Sequence, residues 1–217
     1  MRLKPLATLR SFTRRLHGDE RGLALIEFAM GAPVLITLGL MGLEAAQYGI
    51  ANLRVTQMAS IVADSASRVR DSIDEGDVID ILTGAKMTGD GIKFAQNGRI
   101  ILSSLERNAA GNGQWIRWQR CDGAKQVISS YGLQGKGEND ATLQAMGPTG
   151  RQIAAQNNDA VMFVEVVYDY QPIVSNAAIG GAKTIRTTLA FNVRQRINQA
   201  LTNTNGATPK VCTTYAA

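Results

Sequence analysis

The hydrophobic pattern begins with one long apolar run near the N-terminus. Residues 22–43 read GLALIEFAMGAPVLITLGLMGL, and Glu27 is their only charged residue. At 1.5 Å per residue, the segment from Leu23 to Leu43 would form a helix of roughly 31 Å, which is enough to cross the hydrocarbon core of a bilayer. The run therefore predicts a transmembrane helix over residues 23–43.

Two other interpretations of this run stay open. A buried core helix of a soluble domain has the same composition, although such apolar runs are usually shorter. A cleaved secretory signal has an apolar part of about 7–15 residues followed by a small-x-small site, and it seldom contains a carboxylate. The length of the run and the presence of Glu27 favour the membrane span over both.

The helical pattern continues beyond Leu43 as an amphipathic helix. Apolar residues recur every seven positions, and a mostly apolar companion row follows each of them by four positions. We assign residues 44–82 to this continuation, with the helical pattern itself ending near residue 74, and expect its apolar face to pack on a sheet. The two rows are Tyr48, Val55, Val62 and Val69, and Asn52, Ala59, Ala66 and Ile73.

Strand patterns dominate the remainder, which we treat as one β domain over residues 85–217. Residues 99–106 and 114–121 are separated by a turn-rich link and predict a hairpin. Two further strands are predicted at 160–170 and 185–193, the second being the last. A long excursion over 122–158, with one short helix, separates the hairpin from them. Without a repeated βαβ pattern, the sheet should be antiparallel and the fold class α+β, with the N-terminal helix packed on the sheet.

The distribution of charge and the histidine content argue against several classes of function. The 217 residues carry a net charge of +5, but residues 1–21 alone hold six basic and two acidic side chains, so the body of the chain is nearly neutral. A nucleic-acid-binding face is therefore not expected. The single histidine, His17, lies in the basic arm, which argues against Ser-His-Asp triads and most catalytic zinc sites.

The sequence also contains no recognisable nucleotide-binding or calcium-binding motif. The glycine-rich segments 132–137 and 180–184 lack the spacing and setting of nucleotide-binding loops. The spacing of the acidic residues at 71–80 does not fit an EF-hand. We expect no enzymatic activity, no cofactor and no metal.

The charge asymmetry around the run predicts its topology. The basic arm precedes the span, whereas the next basic residue after it is Arg54. The positive-inside rule then leaves residues 1–22 in the cytoplasm and places residues 44–217 across the membrane.

The start of the run resembles a known processing site. Arg21-Gly22, the apolar stretch Leu23–Ile26 and then Glu27-Phe28 resemble the prepilin-peptidase site of type IV pilins, and Ala32–Leu35 extends the likeness to TadE-like pseudopilins of tight-adherence (Flp-type) pilus systems. The resemblance implies cleavage between Gly22 and Leu23, and roles for Glu27 and Phe28 in subunit assembly.

The resemblance also implies a place in the cell. It implies a pilin-like fold and a minor pseudopilin-type subunit, single-pass in the bacterial inner membrane with a periplasmic C-terminal domain. Residues 1–22 would be a leader peptide. The implied partners are a prepilin peptidase, other pilins or pseudopilins, pilus assembly proteins and the lipid bilayer. An uncleaved single-pass membrane protein with an external adhesive or sensory domain is the alternative function.

The two cysteines, Cys121 and Cys212, lie beyond the span. The periplasm lets disulfides persist, and two cysteines allow a single intramolecular pairing. We expect a bridge that ties the polar C-terminal tail to the sheet. Unpaired thiols or a bridge between subunits are the alternatives.

Overall fold

The computed structural model describes residues 21–175 and 180–216. Apart from Arg21 and Gly22, the leader predicted over residues 1–22 lies outside the described residues. The fold is α+β, with one long N-terminal helix beside a four-stranded antiparallel sheet. The predicted fold class is thus confirmed, and the arrangement is consistent with a pilin-like fold.

Helices occupy the first part of the described chain and strands the second part, except for the short strand β1. Helix α1 is 48 residues long, and two shorter helices and a 3-10 turn lie between it and the sheet strands. The elements are α1 Arg21–Arg68, β1 Asp71–Asp74, α2 Glu75–Thr88, the 3-10 turn Asp90–Ile92, α3 Phe94–Asn97, β2 Gly98–Arg107, β3 Gln114–Asp122, β4 Ala160–Asp169, β5 Thr184–Asn192 and β6 Arg196–Thr202.

The main sheet has the strand order β3-β2-β4-β5, and each neighbouring pair is antiparallel. Strand β4 is central, and its residues from Ala160 to Tyr168 are all buried, including Glu165, which interrupts an otherwise apolar run. The four strands predicted from sequence lie within one residue or so of their observed bounds.

The second half of α1 covers one face of this sheet. Val55, Ala59, Val62 and Ala66 are completely buried and belong to one core with inward-facing residues of β2 and β4. This confirms the predicted apolar stripe, since residues at these spacings lie on one side of a helix.

The continuation predicted over residues 44–82 is not one helix. Helix α1 ends at Arg68, and Asp71 adopts a positive φ of 57°, which carries the chain out of the helix axis. Asp74 then begins α2 as a capping box: its carboxylate accepts from the N–H of Gly76, while the Asp77 carboxylate accepts from the N–H of Asp74. The acidic residues at the predicted helix end near residue 74 therefore begin a second helix.

Two more differences concern the remainder of the chain. The residues between α1 and α2 form β1, which pairs in parallel with β6. The sequence analysis predicted neither of these two strands. Ile73, assigned to the helical companion row, is instead buried in β1. The excursion over 122–158 forms turns and one isolated bridge between Met146 and Ile153, so the short helix expected there is absent from the described structure.

Candidate functional site: the exposed helix and its junction with the sheet

The first half of α1 is exposed on all sides. Each of its twelve large apolar side chains between Leu23 and Leu43 exposes between 41% and 72% of its surface. Helix geometry satisfies the backbone internally, so a helix of this kind is stable in hydrocarbon but not in water. The segment is long and apolar enough to span a membrane, which fits a single-pass membrane protein.

The predicted processing and assembly residues lie on the first two turns of α1. Gly22, Leu23, Glu27 and Phe28 are all exposed, and a Cβ at Gly22 would meet nothing within 4 Å. Leu23 and Glu27 are four residues apart and so share one face of the helix. Glu27 forms no ion pair within the part of the chain that the structure describes.

Burial along α1 begins at Glu44, the residue that follows the apolar run. Its side chain is completely buried, which is rare for a carboxylate without strong partners. The hydroxyl of Tyr170 donates to one carboxylate oxygen, and the N–H groups of Ile173 and Val174 donate to the other at 3.1 and 2.8 Å. Glu44 therefore fixes residues 170–174, which we call the junction loop, to the helix.

These hydrogen bonds stabilise the ionised form of Glu44. The Tyr170 hydroxyl and the Val174 N–H lower the pKa of Glu44, and they outweigh burial, which raises it. Burial is also the main reason that the pKa of Tyr170 is raised, with the Glu44 carboxylate adding to it. Tyr170 further packs edge-on against Tyr48, one turn along α1, with ring centroids 5.2 Å apart. Sequence analysis did not identify Glu44 as a candidate site residue.

The two cysteines form the predicted disulfide. Cys121, at the end of β3, is bonded to Cys212 in the C-terminal tail, with the Cα atoms 4.8 Å apart. The N–H of Cys121 donates to the carbonyl of Lys210 at 2.8 Å, so the tail also lies against the edge strand β3. Because the chain has only these two cysteines, no free thiol remains.

Arg99 is a second anchor of the tail, and sequence analysis missed it. Its side chain is 1% exposed and donates to the carbonyls of Gly123, Cys212 and Thr214 at 2.8, 2.8 and 3.0 Å. The guanidinium also lies over the Tyr215 ring, 4.1 Å from its centroid. Burial lowers the pKa of Arg99. No local sequence signal distinguishes this arginine from an exposed strand residue.

The acidic residues at 71–80 have structural partners. Asp74 accepts from the N–H of Thr204 and of Gly76, which lowers its pKa to about 2. Glu75 forms a largely buried ion pair with Arg120 of β3, in which Arg120 Nε lies 2.9 Å from both carboxylate oxygens. Among the described residues, no group of three potential ligands is arranged to hold a metal ion.

No family model, curated protein or solved structure matches the chain. The features that bear on function are an exposed apolar helix, an accessible glycine and carboxylate near the start of that helix, and a hydrogen-bonded junction to a disulfide-linked β domain.

Proposed function

We propose that this chain is a minor pseudopilin-type structural subunit for tight-adherence pilus assembly, processed by a prepilin peptidase after Gly22. The observation that supports this best is the division of α1. Its first half is apolar and exposed on every side, whereas its second half is packed on an antiparallel sheet. Such a subunit can lie in a membrane by its helix and, in a pilus, bury the same helix among other subunits.

The start of α1 suits the proposed processing. Gly22 is exposed and has open space where a side chain would stand, so a protease can approach its backbone closely. Cleavage would give Leu23 a new α-amine. One turn later, the exposed carboxylate of Glu27 would pair with such an amine on a neighbouring subunit, which offsets the cost of keeping a charge in an apolar setting. Phe28 would pack in the same contact.

The orientation in this proposal follows from charge. The basic arm stays in the cytoplasm, where the peptidase acts, and the β domain lies in the periplasm. The disulfide supports this placement because disulfides persist in the oxidising periplasm and are rare in the cytoplasm. The proposed partners are therefore the peptidase at the inner membrane and other pilins or pseudopilins, together with pilus assembly proteins.

The processing step is tested by the N-terminal sequence and intact mass of the full chain, expressed with an active prepilin peptidase. We expect the recovered protein to begin at Leu23. Gly22→Val should remain uncut, while Gly39→Val, which adds the same atoms to another open position of α1, should be cut normally. A wild-type chain that keeps Met1 beside the active peptidase would instead support the uncleaved single-pass protein with an external adhesive or sensory domain.

The assembly step is tested by Glu27→Ala. This change should leave membrane insertion intact, because it makes the span more apolar, and yet reduce incorporation into pili. Pilus yield and membrane fractionation are measured side by side in the same strain. Normal piliation would refute the intersubunit role and leave Glu27 as an interfacial carboxylate near a helix N-terminus.

A further inference from the structure

The end of the β domain nearest the apolar half of α1 begins where the apolar run stops. Glu44 is the first buried residue of α1 and directly follows Leu43, the last residue of the apolar run. Because α1 is continuous through this point, the loop that Glu44 holds lies within about one helical turn, roughly 5.4 Å, of the end of the span. Insertion of the span therefore brings the junction loop to the membrane surface.

The junction loop presents apolar side chains at this level. Ile173 and Val174 expose 58% and 41% of their surface although their N–H groups are fixed to Glu44. Two neighbouring exposed aliphatic residues on a constrained loop are unfavourable in water but favourable at a lipid interface. The rigidity of the loop means that little conformational entropy is lost when they insert.

A cavity of about 350 Å³ opens beside the same loop. It is lined by Gln47 of α1, by Tyr170 and Ile173, and by Lys93, which is the only charged residue of the lining. Lys93 is exposed and has no ion-pair partner in residues 21–175 or 180–216. A lysine beside tyrosines and aliphatic side chains, close to the end of the span, suits the phosphate of an anionic phospholipid.

We infer that the junction loop and the Lys93 cavity form a lipid-binding surface: Ile173 and Val174 insert into the bilayer interface, and the cavity takes an anionic phospholipid headgroup. This inference rests on the membrane insertion in the proposed function but not on cleavage or pilus assembly. It implies that the β domain rests on the membrane at a fixed height before it joins any assembly.

The test uses the full chain reconstituted in phosphatidylcholine vesicles, with and without about 30% phosphatidylglycerol. Single cysteines are introduced as Ile173→Cys or Ile197→Cys and labelled with a fluorophore, while the native cysteines remain oxidised. Ile197 is the matched control because it is 90% exposed and lies in β6, which pairs with β1 beyond the far end of α1. At 1.5 Å per residue, the helical segment from Glu44 to Arg68 is about 36 Å long. Position 173 lies at its Glu44 end and position 197 lies beyond its Arg68 end.

With nitroxide lipids as quenchers, we expect severalfold stronger quenching of the label at position 173 than at position 197. Phosphatidylglycerol should increase quenching at 173, and Lys93→Ala should remove that increase. Equal quenching at positions 173 and 197 overturns the inference. Quenching at position 173 that changes neither with phosphatidylglycerol nor with Lys93→Ala overturns the headgroup site.

A third label separates this result from a failure of the proposed function. Leu35→Cys lies in the middle of the apolar run, where the side chain is 71% exposed. Strong quenching there by acyl-chain nitroxides shows that the span is inserted, so a negative result at position 173 then counts against the lipid-binding surface alone. Absence of quenching at position 35 overturns both.

Discussion

Removal of the disulfide between Cys121 and Cys212 should cost the protein a large part of its stability. The bridge joins residues 91 positions apart, and the loop between them contains β4, β5 and β6. Loop-closure entropy for this length corresponds to roughly 4–5 kcal/mol at 25 °C, because the unlinked unfolded chain regains the freedom that the bridge removes. Many single domains have a total stability of about 5–15 kcal/mol, so the loss is substantial.

The folded state should change little in the same variant. The tail keeps the N–H···O=C bond between Cys121 and Lys210, and it keeps the three carbonyl contacts of Arg99. Lys210 also retains its ion pair with Asp122, at 2.9 Å. The effect is therefore expected in the free energy of unfolding and not in the native spectrum.

The measurement compares wild-type protein with the Cys121→Ser/Cys212→Ser double variant in urea, in detergent. Fluorescence of Trp118 reports on folding, since this side chain is buried and its indole donates to the carbonyl of Gln199 at 3.1 Å. With a urea dependence of roughly 2 kcal/mol per M, the midpoint should fall by about 2 M. Reduced wild-type protein is the control and should behave like the variant. A shift below about 0.5 M, or altered fluorescence without urea, would refute the reasoning.

Three further changes test other parts of the fold. Glu44→Ala should accelerate hydrogen exchange of the amides in the junction loop, because it removes their acceptor, whereas Glu44→Gln should have a smaller effect. The pKa of Asp74 is depressed to about 2 in the folded state. Ionised Asp74 therefore contributes fully to the free energy of unfolding at any pH above its pKa in the unfolded chain. This contribution is lost as the pH falls from about 5 towards 2. Asp74→Asn should flatten that part of the pH profile in urea titrations, and an unchanged slope would count against the assignment. Met58→Ala, at a completely buried position of α1, should cost roughly 2–5 kcal/mol, while Leu53→Ala, at a position that is 64% exposed, should change detergent-phase stability by less than about 0.5 kcal/mol.

The parts of the fold that sequence predicted are those with local periodicity. The apolar run, the heptad row through Val55 and Val62, and the four strands of the main sheet each depend on residues close together in sequence. The disulfide was predicted because the topology and the count of two cysteines left one intramolecular pairing. In each case one physical constraint excluded most alternatives.

The misplaced boundary after Arg68 has a different origin. Ile73 fits a helical row equally well, and its place in β1 depends on β6, more than 120 residues later. The acidic residues around Asp74 were a signal for a new helix start, since short acidic caps and first-turn carboxylates favour a helix N-terminus. The pairing of Ile73 in β1 with β6 is a different case, because single-sequence patterns do not contain a contact with so distant a segment.

The residues of the candidate site were also predicted only where their role depends on nearby sequence. Glu27 was identified because a carboxylate within an apolar run is unusual wherever the fold places it. Glu44 was passed over because a charge at the end of such a run is ordinary, and its importance comes from Tyr170 and the loop that follows, about 130 residues away. Arg99 likewise becomes an anchor only when the tail returns to β2.

Glu44 also marks where α1 changes its surroundings. Before it, the large apolar side chains have no protein neighbours that cover them, and in water they would form an apolar surface of the kind that drives aggregation. After it, residues such as Val55 and Val62 are covered by the sheet. A buried carboxylate that depends on three donors in the junction loop holds the sheet at this boundary, so the β domain cannot slide along the helix without leaving a buried charge unpaired. The fold thus fixes the position of the β domain along α1 and leaves the apolar half of that helix uncovered by the described part of the chain.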